Sequence, residues 1–179
     1  MGGTDQGVVR TARLTLRAPV PEDARAIFTT YASDPEVTRY MGWPRHEKLS
    51  STEWFVSYAI HEWKTHGTGT HLIFLDETLI GSTGLHVEDT GSREVGTGYI
   101  LGRPHWGHGY ATEACRAMVD LARTRGDRHI SAYCHADHAA SARVLEKSGL
   151  LFEELRPQHT VFPNLGPGLE PVRLYALDL

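Results

Sequence analysis

Two glycines separated by one residue stand between a predicted strand and a predicted helix, and this junction constrains the fold more than any other feature. The segment Trp106–Ala111 reads Trp-Gly-His-Gly-Tyr-Ala. The alternating stretch Glu94–Leu101 precedes it, and apolar residues recur at helical spacing from Ala111 to about Arg125. Glycines at such a junction let the backbone turn sharply and aim successive N–H groups at one point, which is an anion site suited to phosphate.

The junction does not match the motifs of phosphate-cleaving or dinucleotide-binding proteins. No Gly-Lys-Ser/Thr follows, as a Walker A loop requires, and Thr112 replaces the third glycine of Gly-x-Gly-x-x-Gly. A pyrophosphate held here without lysine or magnesium would belong to a ligand that is bound through its phosphates and is not cleaved there.

The remaining pattern predicts an α/β (α+β) domain with a single mixed, largely antiparallel central sheet of about seven strands flanked by helices. One strand–helix–strand crossover is expected within it. The predicted strands are Arg13–Arg17, His71–Leu75, Leu79–Val87, Glu94–Leu101, Arg128–His135, Phe152–Val161 and Pro171–Leu177. A turn is expected at Asp89–Ser92 between the third and fourth of them.

Four helices besides the one after the glycine junction are predicted. One opens at Pro21–Ala24, and a short one runs from Ser33–Pro35 to about Tyr40. Another follows a capping box at Ser50–Glu53, and the last runs from Asp137 or His138 to Ser148, with Gly149 as a left-handed C′ residue. The third of these helices carries a stripe that is predicted to face the core, namely Trp54, Phe55, Tyr58, Ala59 and Trp63.

Length, charge and cysteine content exclude several classes of protein. The 179 residues suit a flexible tail at residues 1–10 and one domain at 11–179. A net charge of −4 argues against nucleic-acid binding, and no apolar stretch approaches the ~20 residues that a membrane span needs. With only Cys115 and Cys134 and no signal peptide, we expect a cytoplasmic protein.

Eleven histidines raise the question of a metal site. His61 and His66 are one residue too far apart for His-Glu-x-x-His, so they do not share a helix face. Cys134, His135 and His138 lack a second Cys/His pair that would complete a tetrahedral set. We therefore predict no metal.

Five segments occur in an order and at separations that resemble a known family. They are Thr11–Arg17 (TARLTLR), Ser33–Tyr40 (SDPEVTRY), Gly98–Leu101 (GYIL), Trp106–Ala114 (WGHGYATEA) and Ser141–Gly149 (SARVLEKSG). Together they resemble the GNAT superfamily of acyl-CoA-dependent N-acetyltransferases. The resemblance is to the branch of ribosomal-protein (alanine/serine) N-terminal acetyltransferases, and it covers the chain from about Thr11 onward.

The resemblance implies a binding mode for acetyl-CoA. Pantetheine would pair like an extra strand with Tyr99, Ile100 and Leu101, where the sheet splays between its fourth and fifth predicted strands. A main-chain N–H near Ile100 would polarise the thioester carbonyl. The pyrophosphate would lie on backbone amides of Gly107, His108, Gly109, Tyr110, Ala111 and Thr112, and further cofactor contacts would come from Arg103, His138, Ser141 and Lys147.

The sequence departs from the family pattern at three positions. Pro104 stands where Gln or Arg is usual, and Arg103 is one position earlier. His138 replaces an asparagine that supports pantetheine, and Leu145 replaces a tyrosine that protonates the thiolate. Ser141 occupies the position of a serine of the ribosomal branch. It either hydrogen-bonds the leaving sulfur or is an ordinary serine inside a helix.

The general base and the acceptor site are left with alternatives. Glu94 is a candidate base or only a charge at a strand end, and His86 is a second candidate on the adjacent strand. By the resemblance, Tyr40, Trp43, His86 and the loop 162–168 would surround the acceptor, although Trp43 beside Pro44 also suits simple packing.

These features predict an acetyl-CoA-dependent N-acetyltransferase in which a primary amine attacks directly. Neutralising a lysine at pH 7 costs ~4.6 kcal/mol but an α-amine only ~1.4 kcal/mol, so a protein or peptide N-terminus is the expected acceptor. The alternatives are a small amine such as an antibiotic or polyamine, and an inactive CoA-binding sensor or interaction domain. A homodimer is also expected from the family.

Overall fold

The structure is a computed structural model that describes residues 7–89, 91 and 93–179. Residues 1–6 of the expected tail lie outside the described residues. So do Thr90 and Ser92 of the turn expected between the third and fourth predicted strands.

One sheet runs through the described residues, and it has eight strands in the order β1-β2-β3-β4-β5-β6-β8-β7. Neighbours pair antiparallel except β5 and β6, which are parallel. The strands are β1 (Val9–Arg10), β2 (Leu14–Arg17), β3 (Thr70–Leu75), β4 (Thr78–Asp89), β5 (Glu94–Leu101), β6 (His129–His135), β7 (Leu151–Val161) and β8 (Leu169–Asp178). The predicted mixed, largely antiparallel sheet is confirmed, with β1 as an additional two-residue strand.

Four α-helices cover the sheet in the described part of the chain. They are α1 (Ala24–Ile27), α2 (Leu49–His66), α3 (Tyr110–Arg125) and α4 (Ala139–Lys147). A 3-10 turn precedes α1 and a π-helical turn, Phe28–Ala32, follows it. Gly149 after α4 has φ +94°, as predicted for a left-handed C′ residue.

Two predictions about helix limits were wrong. Residues 35–40 form successive turns and not a helix, and Asp34 closes them by accepting the Thr38 amide on its carbonyl and the Glu36 amide on its carboxylate. Helix α2 begins at Leu49, and the residue before it, Lys48, makes no side-chain cap. The expected capping box therefore lies inside the first turns of α2, where these side chains do not cap the helix.

The aromatic stripe of α2 does not form a single buried face. Trp54 is 69% exposed and Tyr58 48% exposed, and their rings stack on each other at 5.7 Å. The buried residues are Thr52, Val56 and Ala59. At ~100° per residue, the two exposed aromatic side chains lie ~200–240° around the helix from Thr52, so they face away from the sheet.

Strand β5 separates two hydrophobic clusters because its side chains alternate between the sheet faces. Val95 and Leu101 belong to a cluster with α3 and α4, whereas Ile100 belongs to a cluster with Ile27 of α1 and Val56 of α2. Strand β5 therefore presents one edge to β4, the other to β6, and a face to each helical layer.

Candidate active site

The sheet opens between β5 and β6. The two strands pair only from Glu94 to Gly96, opposite His129 to Ser131. Beyond these residues β5 stays paired to β4 as far as Leu101, while β6 pairs with β8 as far as His135. The opening widens toward the carboxyl ends of both strands, at the position where the sequence predicted a splay.

The backbone of β5 is directed so that alternate residues face the opening. The Gly98 carbonyl accepts a hydrogen bond from a threonine hydroxyl of β4 at 2.8 Å, and a side chain built on Gly81 of β4 would collide with the Ile100 carbonyl oxygen. Both residues therefore point their backbone groups at β4. Backbone groups alternate along a strand, so Tyr99 and Leu101, and not Ile100, direct theirs toward β6.

The Tyr99 side chain crosses the opening to α4. Its hydroxyl lies 2.7 Å from Ser141 Oγ and donates to the Ser141 carbonyl at 3.1 Å. Burial raises the pKa of Tyr99 well above its usual value, although the Ser141 hydrogen bond opposes the shift. The phenol therefore stays protonated at neutral pH. Leu145 of α4, which stands where the family has tyrosine, is 1% exposed in the core. A tyrosine hydroxyl reaches Ser141 instead from β5, through Tyr99.

The glycine junction forms a tight loop at the start of α3. Gly107 and Gly109 have φ of +79° and +81°, in the left-handed region that favours glycine. The first helical hydrogen bond runs from the Glu113 amide to the Gly109 carbonyl at 3.0 Å. The amides of Tyr110, Ala111 and Thr112 therefore have no acceptor within the helix and are available to an anion.

Two aromatic contacts shape this loop. The Trp106 indole donates to the Leu101 carbonyl at 2.7 Å, which ties the loop to the end of β5. The His108 ring stacks on Tyr110 at 5.7 Å between centroids. Both contacts hold side chains beside the amides of the loop.

Arg103 does not point freely at the loop. Its guanidinium lies 2.6 Å from Asp34 and 2.9 Å from Glu36. Partial burial of Asp34 opposes ionisation, but the hydrogen bond from Arg103 and the backbone amides of Glu36 and Val37 lower its pKa. Arg103 thus links the end of β5 to the turns that lead to Tyr40, and the expected phosphate contact would need this ion pair to open.

A cavity lies beside α3, on the side of the glycine loop that faces the segment 8–13. It measures about 940 Å³ and is lined by the segment 8–13, by Gly109 and Thr112, and by Lys147 at the end of α4. Arg116 spans it by donating to the Lys147 carbonyl at 2.7 Å. Lys147 therefore lies on the phosphate side of the site, away from the reacting end of the opening.

Aromatic rings form one wall at the end of β6. The Tyr40 ring stacks on His135 at 4.9 Å and on His138 at 4.8 Å, and Phe162 packs edge-on against His135 at 5.3 Å. The Asp137 amide donates to His135 Nδ1, so in the neutral ring Nε2 carries the proton, 3.4 Å from Glu170. Burial, reinforced by the neighbouring His135, lowers the pKa of His138, which therefore stays neutral at pH 7.

Asn164 holds the two loops of this wall together. Its amide nitrogen donates to the Thr38 carbonyl at 2.7 Å and to the Trp43 carbonyl at 2.9 Å, and its oxygen accepts the Arg45 amide at 2.8 Å. Trp43 itself is half-buried against the cluster under α1 and α2, and its ring is tilted against that of His46, with 5.1 Å between centroids. The loop 162–168 was expected beside the acceptor, but no pattern in the sequence singles out Asn164 within it.

The two candidate bases lie at the closed end of the opening. Glu94 is exposed at the start of β5, and six strand residues, ~20 Å, separate it from Ile100. His86 lies on β4, opposite Gly96 of β5, and its side chain is also exposed. The structure therefore does not bring Glu94 or His86 together with Tyr99 and Ser141.

Two features are absent from the part of the chain that the structure describes. No group of three His, Cys, Asp or Glu side chains in residues 7–89, 91 and 93–179 is arranged to hold a metal ion. None of the helices in those residues is long and apolar enough to cross a membrane.

The sheet thus splits between β5 and β6, and a helix start whose free amides suit an anion lies beside the split. The model of the acetyltransferase (GNAT) domain family matches residues 13–151. The chain therefore belongs to the GNAT acetyltransferase family and is an acetyl-CoA-dependent acyltransferase.

Named relatives agree with this assignment. The uncharacterized N-acetyltransferase p20 of Bacillus licheniformis is 33% identical over 150 residues, which cover 79% of this chain and 83% of that protein. RimL, a ribosomal L7/L12 alpha-N-protein acetyltransferase solved with coenzyme A, superposes with a TM-score of 0.86 at 19% identity, covering 96% of this chain and 98% of RimL. The microcin C7 self immunity acetyltransferase MccE, solved with acetyl-CoA and AMP, gives 0.88 at 16% identity and covers 98% of both chains. The two solved structures share the fold.

Proposed function

We propose that the chain acetylates the α-amine of a protein or peptide N-terminus by direct attack of the amine on acetyl-CoA. The observation that carries the proposal is the exposure of Gly98 on a central strand, where an added side chain would meet nothing within 4 Å. Gly96, Gly98 and His86 share that face of the sheet, and Tyr40 with His135 forms the wall beside it. A sheet face that carries glycines in place of larger side chains has room for the first residues of an extended peptide.

Each part of the cofactor has candidate residues in this proposal. The pyrophosphate lies on the amides of 107–112, and pantetheine runs along the free edge of β5. Because Tyr99 and Leu101 direct their backbone toward β6, we assign the N–H that polarises the thioester carbonyl to one of them. A preorganised donor at that point stabilises the oxyanion as it forms. Ser141, hydrogen-bonded to Tyr99, supplies the proton to the leaving sulfur.

The distance between the candidate bases and Ser141 supports a weakly basic acceptor. Glu94 and His86 are at the closed end of the opening, and an α-amine needs only ~1.4 kcal/mol to lose its proton at pH 7, against ~4.6 kcal/mol for lysine. An enzyme of this geometry gains most from an amine that is partly neutral before it binds. Glu94 and His86 stay predictions as bases, since neither lies beside Tyr99 and Ser141.

A small-molecule amine is the second candidate acceptor. Tyr40 lies against both His135 and His138, which makes a flat aromatic wall that also suits a planar ring. The third alternative, a CoA-binding sensor without catalysis, was suggested by His138 and Leu145, but it does not agree with the assignment to an acetyltransferase family. The cytoplasmic location and the homodimer stay predictions.

The test is release of free thiol from acetyl-CoA with two pools of acceptors. One pool holds short peptides with a free N-terminus, and the other holds small amines, including polyamines and aminoglycosides. The matched control uses the same peptides with the N-terminus blocked and a lysine side chain left free. Release that disappears on blocking supports the proposal. Release with small amines alone favours the second candidate, and acetyl-CoA binding without release in either pool would contradict the proposed acceptor.

A further inference from the structure

The segment just before β2 is tied to the first turn of α3. Glu113 accepts hydrogen bonds from the Thr11 hydroxyl at 2.6 Å and from the Arg13 amide at 2.8 Å. The Arg13 guanidinium forms a fork on the same carboxylate, with Nε and one terminal nitrogen each at 2.7 Å. Partial burial of Glu113 opposes ionisation, but the bonds from Thr11 and Arg13 outweigh it and lower the pKa of Glu113.

The remaining guanidinium nitrogen of Arg13 reaches the glycine loop. It donates to the His108 carbonyl at 3.0 Å, and the guanidinium lies over the Tyr110 ring at 4.5 Å. A trans peptide is planar, with its C=O and N–H pointing in opposite directions. Holding the His108 carbonyl toward Arg13 therefore aims the Gly109 N–H away from Arg13, toward the other side of the loop.

We propose that Arg13 is a positioning residue that holds the His108–Gly109 peptide with its N–H turned toward the pyrophosphate of acetyl-CoA, with Glu113 as its support. The inference rests on the proposed pyrophosphate site. Glycine alone would not fix this peptide, because Gly109 at φ +81° has neighbouring conformations of similar energy. An arginine fork held by a carboxylate selects one of them.

The geometry separates this role from direct attraction of phosphate. All three nitrogens of the Arg13 guanidinium are already used, on Glu113 and on the His108 carbonyl. The Glu113 carboxylate also offsets the charge of Arg13 beside the loop. A lysine at position 13 would keep the charge but could not grip Glu113 and the carbonyl together. Lysine therefore distinguishes a directional role from a purely electrostatic one.

The experiment measures acetyl-CoA binding by titration calorimetry for the wild type, Arg13→Gln, Arg13→Lys and Glu113→Gln. The matched control is Arg123→Gln, since Arg123 is an exposed arginine on α3 that pairs with Asp120 and does not contact the loop. Thermal unfolding fixes a temperature at which every variant is folded. Steady-state kinetics then separates KM for acetyl-CoA from kcat.

We expect Kd and KM for acetyl-CoA to rise about tenfold in Arg13→Gln and nearly as much in Arg13→Lys, the change that losing a charge-assisted hydrogen bond produces. Glu113→Gln should fall between these variants and the wild type, kcat at saturation should stay within about twofold, and Arg123→Gln should match the wild type. Wild-type affinity in Arg13→Gln, or full affinity in Arg13→Lys, would overturn the inference and leave the proposed function standing. If the wild type itself binds no acetyl-CoA, the pyrophosphate site and the inference fail together.

Discussion

The hydroxyl of Tyr99 on β5 lies 2.7 Å from the hydroxyl of Ser141 on α4, and this bond spans the opening in which the acyl group would be held. Removing either hydroxyl is expected to lower kcat about 10- to 100-fold, because the leaving sulfur loses its proton donor or the group that orients it. The Tyr99→Phe/Ser141→Ala double variant should lose little more than the worse single variant, because the two groups act together.

The measurement is kcat for thiol release, with acetyl-CoA affinity as a check on binding. Ser57→Ala on α2 is the matched control, since the Ser57 hydroxyl bonds only to a carbonyl of its own helix. If Ser141→Ala keeps kcat within about twofold of the wild type, Ser141 is a structural residue and another group protonates the sulfur.

Gly109 provides a second prediction, because backbone must approach the pyrophosphate closely there. Gly109→Trp is expected to weaken acetyl-CoA binding more than ~30-fold. Gly67→Trp is the matched control, since Gly67 has φ +65° at the end of α2 and an added Cβ would meet nothing within 4 Å. Both variants pay ~1–2 kcal/mol for a left-handed side chain. Equal acetyl-CoA affinity in the two would contradict the location of the phosphate site.

Most of the fold could be predicted from local sequence patterns. Alternation predicted the strands, and the glycine junction and Gly149 marked helix limits that the structure has. Prediction failed where residues of one chemical type were assumed to share one face. Trp54 and Tyr58 are aromatic, but their angular position on α2 turns them to solvent. The short helix predicted after Asp34 was wrong for a related reason, because a helix-capping pattern also fits an isolated turn.

The candidate site was less predictable because its side chains meet across long separations. Tyr99 and Ser141 are 42 residues apart, and Arg13 and Glu113 are 100 apart. A single sequence has no periodic signal at such distances. Arg103 was missed for the same reason. Its position near the loop predicted a phosphate contact, but its guanidinium is paired with Asp34 of a distant turn. The loop amides were predictable because their geometry is local.

Asn164 yields a third prediction about the acceptor loops. Asn164→Ala removes three hydrogen bonds to backbone groups of Thr38, Trp43 and Arg45. We expect the free energy of unfolding to fall by ~2 kcal/mol, and KM for the acceptor to rise while KM for acetyl-CoA changes little. Gln158→Ala on the exposed strand β7 is the control. An unchanged acceptor KM would show that Tyr40 and Trp43 do not depend on this contact to form the acceptor wall.

His71 gives the fourth prediction, on stability against pH. The ring is fully buried beside Trp63, its Nδ1 bonds the Gly69 carbonyl at 3.0 Å, and its Nε2 is buried without a hydrogen-bond partner in the described structure. Burial lowers the pKa of His71 from 6.5 to about 4, and Arg125 and His86 repel its charged form as well.

Because the folded pKa lies below the unfolded one, the unfolded chain binds more protons between pH 6.5 and 4, and stability falls as the pH drops through that window. This group contributes nothing to the pH dependence above about pH 7 and lowers the free energy of unfolding by about 2 kcal/mol at pH 5. Urea unfolding at pH 7.5 and pH 5 measures the difference. His71→Phe keeps the ring contact with Trp63, and its free energy of unfolding should fall less between pH 7.5 and pH 5 than that of the wild type. His61→Gln, at an exposed position of α2, should show the same fall as the wild type. The prediction fails if His71→Phe and the wild type decline equally between the two pH values.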